Sequence, residues 1–145
     1  MSALLAQYAP SEVHTSFMTV IIGGFAEGTF VEVEMSEDAF TSYVGSTGEV
    51  CHTRSHNRTA KITLTLMQTS RSNDVLSSLA LADRHLGNVV GPFSVVDGNG
   101  SMICSSAECR IAKFPKMERG KESATVVWEF MAADMEMFLG GNIVT

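Results

Sequence analysis

The residues best suited to hold a metal in this 145-residue chain are three cysteines and four histidines. Cys51, His52 and His56 lie close together, and Cys104 and Cys109 add two more thiols. A structural zinc site needs four nitrogen or sulfur ligands in a tetrahedron. Cys51 and His52 are chain neighbours, so on a strand they point to opposite faces, and the spacing of Cys104 and Cys109 divides them in the same way. The pattern predicts free thiols, buried or half-buried, with no metal, no cofactor and no essential disulfide. The odd cysteine count, without a short CxxC pair, agrees with a reducing compartment.

Nucleophilic catalysis lacks its constellation. The chain carries no GxSxG and no HExxH, and no Ser–His spacing suggests a pair. Paired carboxylates do acid–base work when burial splits their pKa values. Glu32 and Glu34 share a strand face and Glu37 and Asp38 share a loop, but nothing around them predicts a pocket, so they read as solvated surface. Gly23-Gly24 and Gly140-Gly141 do not make a phosphate-binding loop. An enzyme is not expected.

The elements that must position these side chains are mostly strands. The chain is 45% hydrophobic and 18% charged, which is too apolar for disorder and demands a buried core. Residues 12–22 read as one strand. Gly23-Gly24 marks a turn, and residues 29–35 alternate, with Val31, Val33 and Met35 on one side and Glu32 and Glu34 on the other. These two segments are expected to pair as a hairpin. Residues 36–48 read as a polar loop with a helical turn, and 49–55 as a short strand. Residues 59–67 send Ala60, Ile62, Leu64 and Leu66 inward, and a helix follows from the cap candidates Ser72-Asn73-Asp74 to a stop at Gly87. Strands at 92–96 and 101–114 flank an Asp97-Gly98-Asn99-Gly100 turn, and a last strand covers 124–133. The expected fold is mainly β: a single domain over 1–145, a β-sandwich or partly open barrel with one flanking α-helix and an extended loop at about 36–57.

Charge is unevenly spread along the chain. The net charge of −6 is a poor default for gripping DNA or anionic lipid. Residues 1–53 hold seven acids and no Lys or Arg, whereas Arg110, Lys113, Lys116, Arg119 and Lys121 cluster around Glu118. This predicts self-complementarity, with an acidic face on one copy meeting a basic face on the next in a head-to-tail contact. The stretch MSALLAQYAP has no positively charged start of the kind a signal peptide needs. The longest apolar run, Phe17 to Ala26, is broken by Thr19, Gly23 and Gly24, so no membrane span is expected.

Five segments, in order, resemble the tail tube subunits of contractile-tailed bacteriophages: Gly48-Glu49-Val50, Asn57-Arg58, TLTLMQTSRSNDVLSSL (63–79), VVDGNGSMI (95–103) and the closing Gly-Gly-Asn (140–142). In one departure, Arg71 stands where such subunits often have proline. The resemblance implies six copies in a ring, rings stacked into a tube inside a contractile sheath, and DNA passing through the bore without sequence-specific binding. It implies partners: other copies of the chain, the tail sheath, baseplate, tail-completion and tape-measure proteins. It places the protein in the virion tail after assembly in the host cytoplasm. A small β-barrel binding module, or a secreted ring-forming tube of a related injection system, is the alternative.

On that reading Glu32 and Glu34 are the expected bore-facing acids. The loop carrying Glu37, Asp38, Phe40, Tyr43, Val44 and Glu49 is the expected ring-stacking element, with the basic stretch Arg110, Lys113, Lys116, Arg119 and Lys121 as its complement. Phe40 and Tyr43 have a second reading, as caps on the core of their own subunit.

Overall fold

Strand β7 (Ala60–Met67) shows how the sequence builds the core: Ala60, Ile62, Leu64 and Leu66 are fully buried, and the alternate Lys and Thr side chains face outward. The computed structural model describes residues 5–6, 8–141 and 143–144. Its other strands are β1 (Leu5–Ala6), β2 (Val13–Phe17), β3 (Val20–Ile22), β4 (Val31–Met35), β5 (Phe40–Val44), β6 (Val50–Arg54), β8 (Gly91–Asp97), β9 (Ile103–Lys113), β10 (Thr125–Ala132), β11 (Met135–Phe138) and β12 (Ile143–Val144). One α-helix, α1 (Ser72–Leu86), lies between β7 and β8.

The main sheet runs β3-β2-β8-β9-β10-β7-β4, with β11 beside β9, and its pairs are antiparallel. Long β9 pairs with β8 along one edge and divides the other between two partners, giving Ile103–Ser106 to β11 and Cys109–Lys113 to β10. Where it changes partner, Ala133 N–H donates to Glu108 O at 2.8 Å and the sheet turns a corner. The wrap is visible in the core. Phe17 on β2 and Phe130 on β10 are three strands apart, ~14 Å in a flat sheet, yet their ring centroids are 5.1 Å apart. Beyond β3, Phe25 bridges to Leu66, and Met67 N–H donates to Gly24 O at 2.8 Å, so the two ends of the sheet approach each other. The result is a partly open β-barrel with a flanking helix.

Helix α1 contributes buried Leu76 and Ala80 to this core. Trp128 Nε1–H donates to Asn73 Oδ1 at 2.9 Å, which satisfies the indole of a fully buried ring. Gly87, at φ 71°, ends the helix in the left-handed conformation.

Several expectations are corrected. Residues 12–22 form two strands, because Met18 (φ 49°) and Thr19 (φ 68°) make a tight two-residue turn between Phe17 and Val20. The segments 12–22 and 29–35 do not pair: β3 and β4 end opposite edges of the main sheet, and β4 pairs with β7 instead. Residues 36–48 contain no helical turn but a five-residue strand, β5, paired with β6. Cys104 and Cys109 both face inward, since two residues of β9, Ala107 and Glu108, oppose the single Pro92 of β8 and shift the alternation by one. Of the closing Gly-Gly-Asn, Asn142 lies outside the described residues.

Candidate assembly surfaces

The β5–β6 hairpin springs from the connection between β4 and β7, two strands that are already neighbours in the sheet. Its turn closes with Gly45 N–H donating to Glu49 O at 2.7 Å and Gly48 N–H to Gly45 O at 3.1 Å. Gly48 takes φ 86°, a conformation that suits glycine and completes a three-residue turn. All ten strand residues are exposed. At the base, Ser55 Oγ donates to Glu37 Oε2 at 3.0 Å.

The second reading of Phe40 and Tyr43 as caps on their own core fails here: they are 57% and 72% exposed. Nor do the three apolar residues act from one side. The pairs Phe40↔Arg54, Ser42↔His52 and Val44↔Val50 share one face, and Tyr43↔Cys51 lies on the other. A hairpin apolar on both faces suits insertion between surfaces better than lying flat on one. Glu37, Asp38 and Glu49 flank it and are exposed.

The five bases do not form one patch. Arg110 turns to the end of α1, where its guanidinium donates to Gly87 O at 3.2 Å and pairs with Asp83 at 3.4 Å. Lys113 lies opposite Glu129 in the sheet register. Lys116 pairs with Glu118 at 3.2 Å, and Arg119 donates to Glu118 O at 2.7 Å, in an exposed loop that also holds Lys121. Sequence proximity put them together; Arg110 and Lys113 lie on β9, whereas Lys116, Arg119 and Lys121 lie in the loop that follows it.

Glu32 and Glu34 sit exposed on the outer side of β4, opposite Thr63 and Lys61. The same outer surface carries Thr65 and Glu129, and Lys61 pairs with Glu129 at 3.5 Å. It is polar and mixed in charge rather than purely acidic. Sequence reasoning missed the cleft between the start of α1 and the loop after β9, about 430 Å³ in volume and lined by Arg71, Phe114, Lys116, Arg119 and Trp128. Bases and aromatics scattered over 71–128 give no contiguous signal.

The thiols divide by burial. Cys51 is exposed on the hairpin, while Cys104 and Cys109 are buried. Burial pushes the Cys104 thiol up, and that of Cys109 to about 12. Among the described residues, no three His, Cys, Asp or Glu side chains come together to hold a metal, and no helix is long and apolar enough to cross a membrane.

Residues 13–140 match the family described as Bacteriophage PhiTE tail tube protein. The chain belongs to this phage tail tube family. A curated relative of the tail tube protein, "Structural protein ORF10" of Pseudomonas phage KPP10, is 33% identical over 152 residues, covering 98% of this chain and 87% of the relative. Solved structures extend the likeness at the level of fold. The tube-terminating cap of the anti-feeding prophage superposes with a TM-score of 0.62 at 11% identity, over 95% of both chains. A chain of the sheath–tube complex of PVC, an extracellular contractile injection system, superposes with a TM-score of 0.62 at 14% identity, over 91% of both. The tail tube protein is thus a structural component of the phage tail, with a fold shared by contractile injection systems.

Proposed function

We propose that six copies of this tail tube protein form a ring, and that rings stack through the β5–β6 hairpin into the inner tube of a contractile tail, through which DNA passes at ejection. The observation that carries this reading is the hairpin itself, ten exposed strand residues among them Phe40, Tyr43, Val44 and Val50. Leaving so much apolar surface wet forgoes ~25 cal/mol for each Å² that a neighbour would cover, and exposed apolar patches of this kind mark interaction sites. Strands β3 and β4 end the sheet without strand partners on their outer sides among the described residues, and a ring supplies such partners. The role is structural, with no catalytic step. Sheath, baseplate, tail-completion and tape-measure proteins are its other partners, met during assembly in the host cytoplasm.

In this arrangement Glu32 and Glu34 face the bore. Six copies carry a charge of about −36 per ring, which repels phosphate and lets DNA slide rather than bind. The acids at 37, 38 and 49 set register against basic residues of a neighbour, each exposed pair adding ~0.2–1 kcal/mol, while the apolar residues supply most of the stacking energy.

Electron microscopy of the purified protein tests the reading. Rings or tubes with a bore a few nanometres wide are expected. A protein shortened across residues 38–47 should stay folded and form single rings that no longer stack, and tubes of normal length from it would overturn the role of the hairpin.

A further inference from the structure

We infer that the hairpin tip of one copy seats in the cleft between α1 and the 114–119 loop of a copy in the adjoining ring, an inference that rests on the proposed stacking. Strand β7 places the two features. Its Ala60 end pairs with Met35, from which the hairpin departs; its Met67 end runs into Gln68 and Thr69, which line the cleft. Eight residues of strand separate them by ~23 Å. The root of the hairpin and the cleft therefore lie at opposite ends of β7. Between copies that share one orientation along an axis, a contact of hairpin with cleft is head-to-tail and repeats from ring to ring.

The two surfaces complement each other chemically. The tip presents Tyr43, Val44 and Val50, each more than half exposed, and Glu49 is the sole charge between Tyr43 and Val50. The cleft offers the ring of Phe114, 38% exposed and 6.1 Å from the buried ring of Trp128, and the exposed Met117, under a rim where Arg71, Lys116 and Arg119 outnumber Asp74. The volume of about 430 Å³ admits the side chains of a narrow hairpin end but not a helix or a globular face. An acidic, aromatic-bearing tip against a basic, aromatic-lined cleft is the contact in which the two halves of this chain's uneven charge meet.

Thiol cross-linking tests the pairing in assembled protein. Cys51, opposite Tyr43, supplies one partner, and Met117→Cys, at a position 77% exposed on the loop, supplies the other. With bismaleimidoethane the variant should give a ladder of dimers, trimers and higher species on denaturing gels, because each copy donates one tip and one cleft. Adding Cys51→Ser should abolish the ladder, and the natural sequence should give none. Tubes seen by microscopy without a ladder, or with products that stop at dimer, overturn the pairing while sparing the stacking. Failure of the natural sequence to form tubes overturns both. Should Met117→Cys not assemble, charge exchange decides. Glu49→Lys alone and Lys116→Glu with Arg119→Glu should each lose most tubes, and combining them should recover tubes. A combination no better than its parts overturns the inference.

Discussion

Cys109 owes its burial to the two residues that precede it in β9. Ala107 and Glu108 oppose one residue of β8, so the alternation slips and a thiol that counting sends outward turns into the core. Folded protein should therefore react with a thiol reagent at pH 8 through Cys51 alone, and through all three cysteines after denaturation. Rapid labelling of Cys109 in the folded state would contradict its placement. A dependence on pH follows from the same burial. The folded thiol titrates near 12 against an ordinary value of 9.0, so the folded state holds more protons between those values. The stabilisation from this group is complete below pH 9 and is lost as pH rises towards about 12. Denaturation profiles should show Cys109→Ala less sensitive than the natural sequence over that window; equal alkaline slopes would refute the linkage. The inward faces of β7 and the spacing of Leu76 and Ala80 were legible because burial there follows a strict period. The parity of Cys109 was not, because a bulge is a property of two paired strands and leaves no mark on one.

Elements joined by ordinary turn chemistry could be read, and those joined otherwise could not. The Asp97-Gly98-Asn99-Gly100 connection announces itself, and Asn99 N–H donates to Asp97 Oδ1 at 2.9 Å as such turns do. Met18-Thr19 announces nothing, since neither residue favours positive φ. Tertiary contacts hold this turn: Met18 N–H donates to Pro92 O at 2.8 Å, and the side chain lies so close over Gly91 that a Cβ there would collide with it. The β-branched Thr19 is exposed and bears the strain without a packing return. Thr19→Gly should raise the unfolding free energy by about 1 kcal/mol, measured by urea titration, and a loss of stability would show that Thr19 makes a contact in the folded state that outweighs the strain. The β5–β6 hairpin was hidden for a different reason. Its strands bury nothing in their own subunit, so no inside–outside alternation exists to be read.

At the scale of the whole molecule, strand pairing across long separations was the least legible feature. Residues 12–22 and 29–35 look like a hairpin by adjacency, yet the sheet wraps so far that they finish at opposite edges. The family-level reading survived this error because it rested on local segments rather than on who pairs with whom. Charge placement belongs at this scale too. If the outer surface of β4 faces the bore, Glu32→Lys with Glu34→Lys should leave rings intact, since both side chains are exposed, and should slow or trap DNA at ejection. Normal ejection kinetics from phage carrying both changes would show that the bore charge, or the position of these residues, has been misjudged. Lys61, opposite Glu34, already tempers the field locally, so the double change is needed to reverse it.

The hairpin is inserted between two strands that pair directly with each other, β4 and β7. Residues 36–59 can therefore lengthen or shorten without altering a single register in the main sheet. On the proposed stacking, axial rise is written in this insertion and bore diameter in the sheet that carries it. Pitch and calibre then become separately adjustable dimensions of one chain, the first by changing the reach of the hairpin and the second only by rebuilding the barrel.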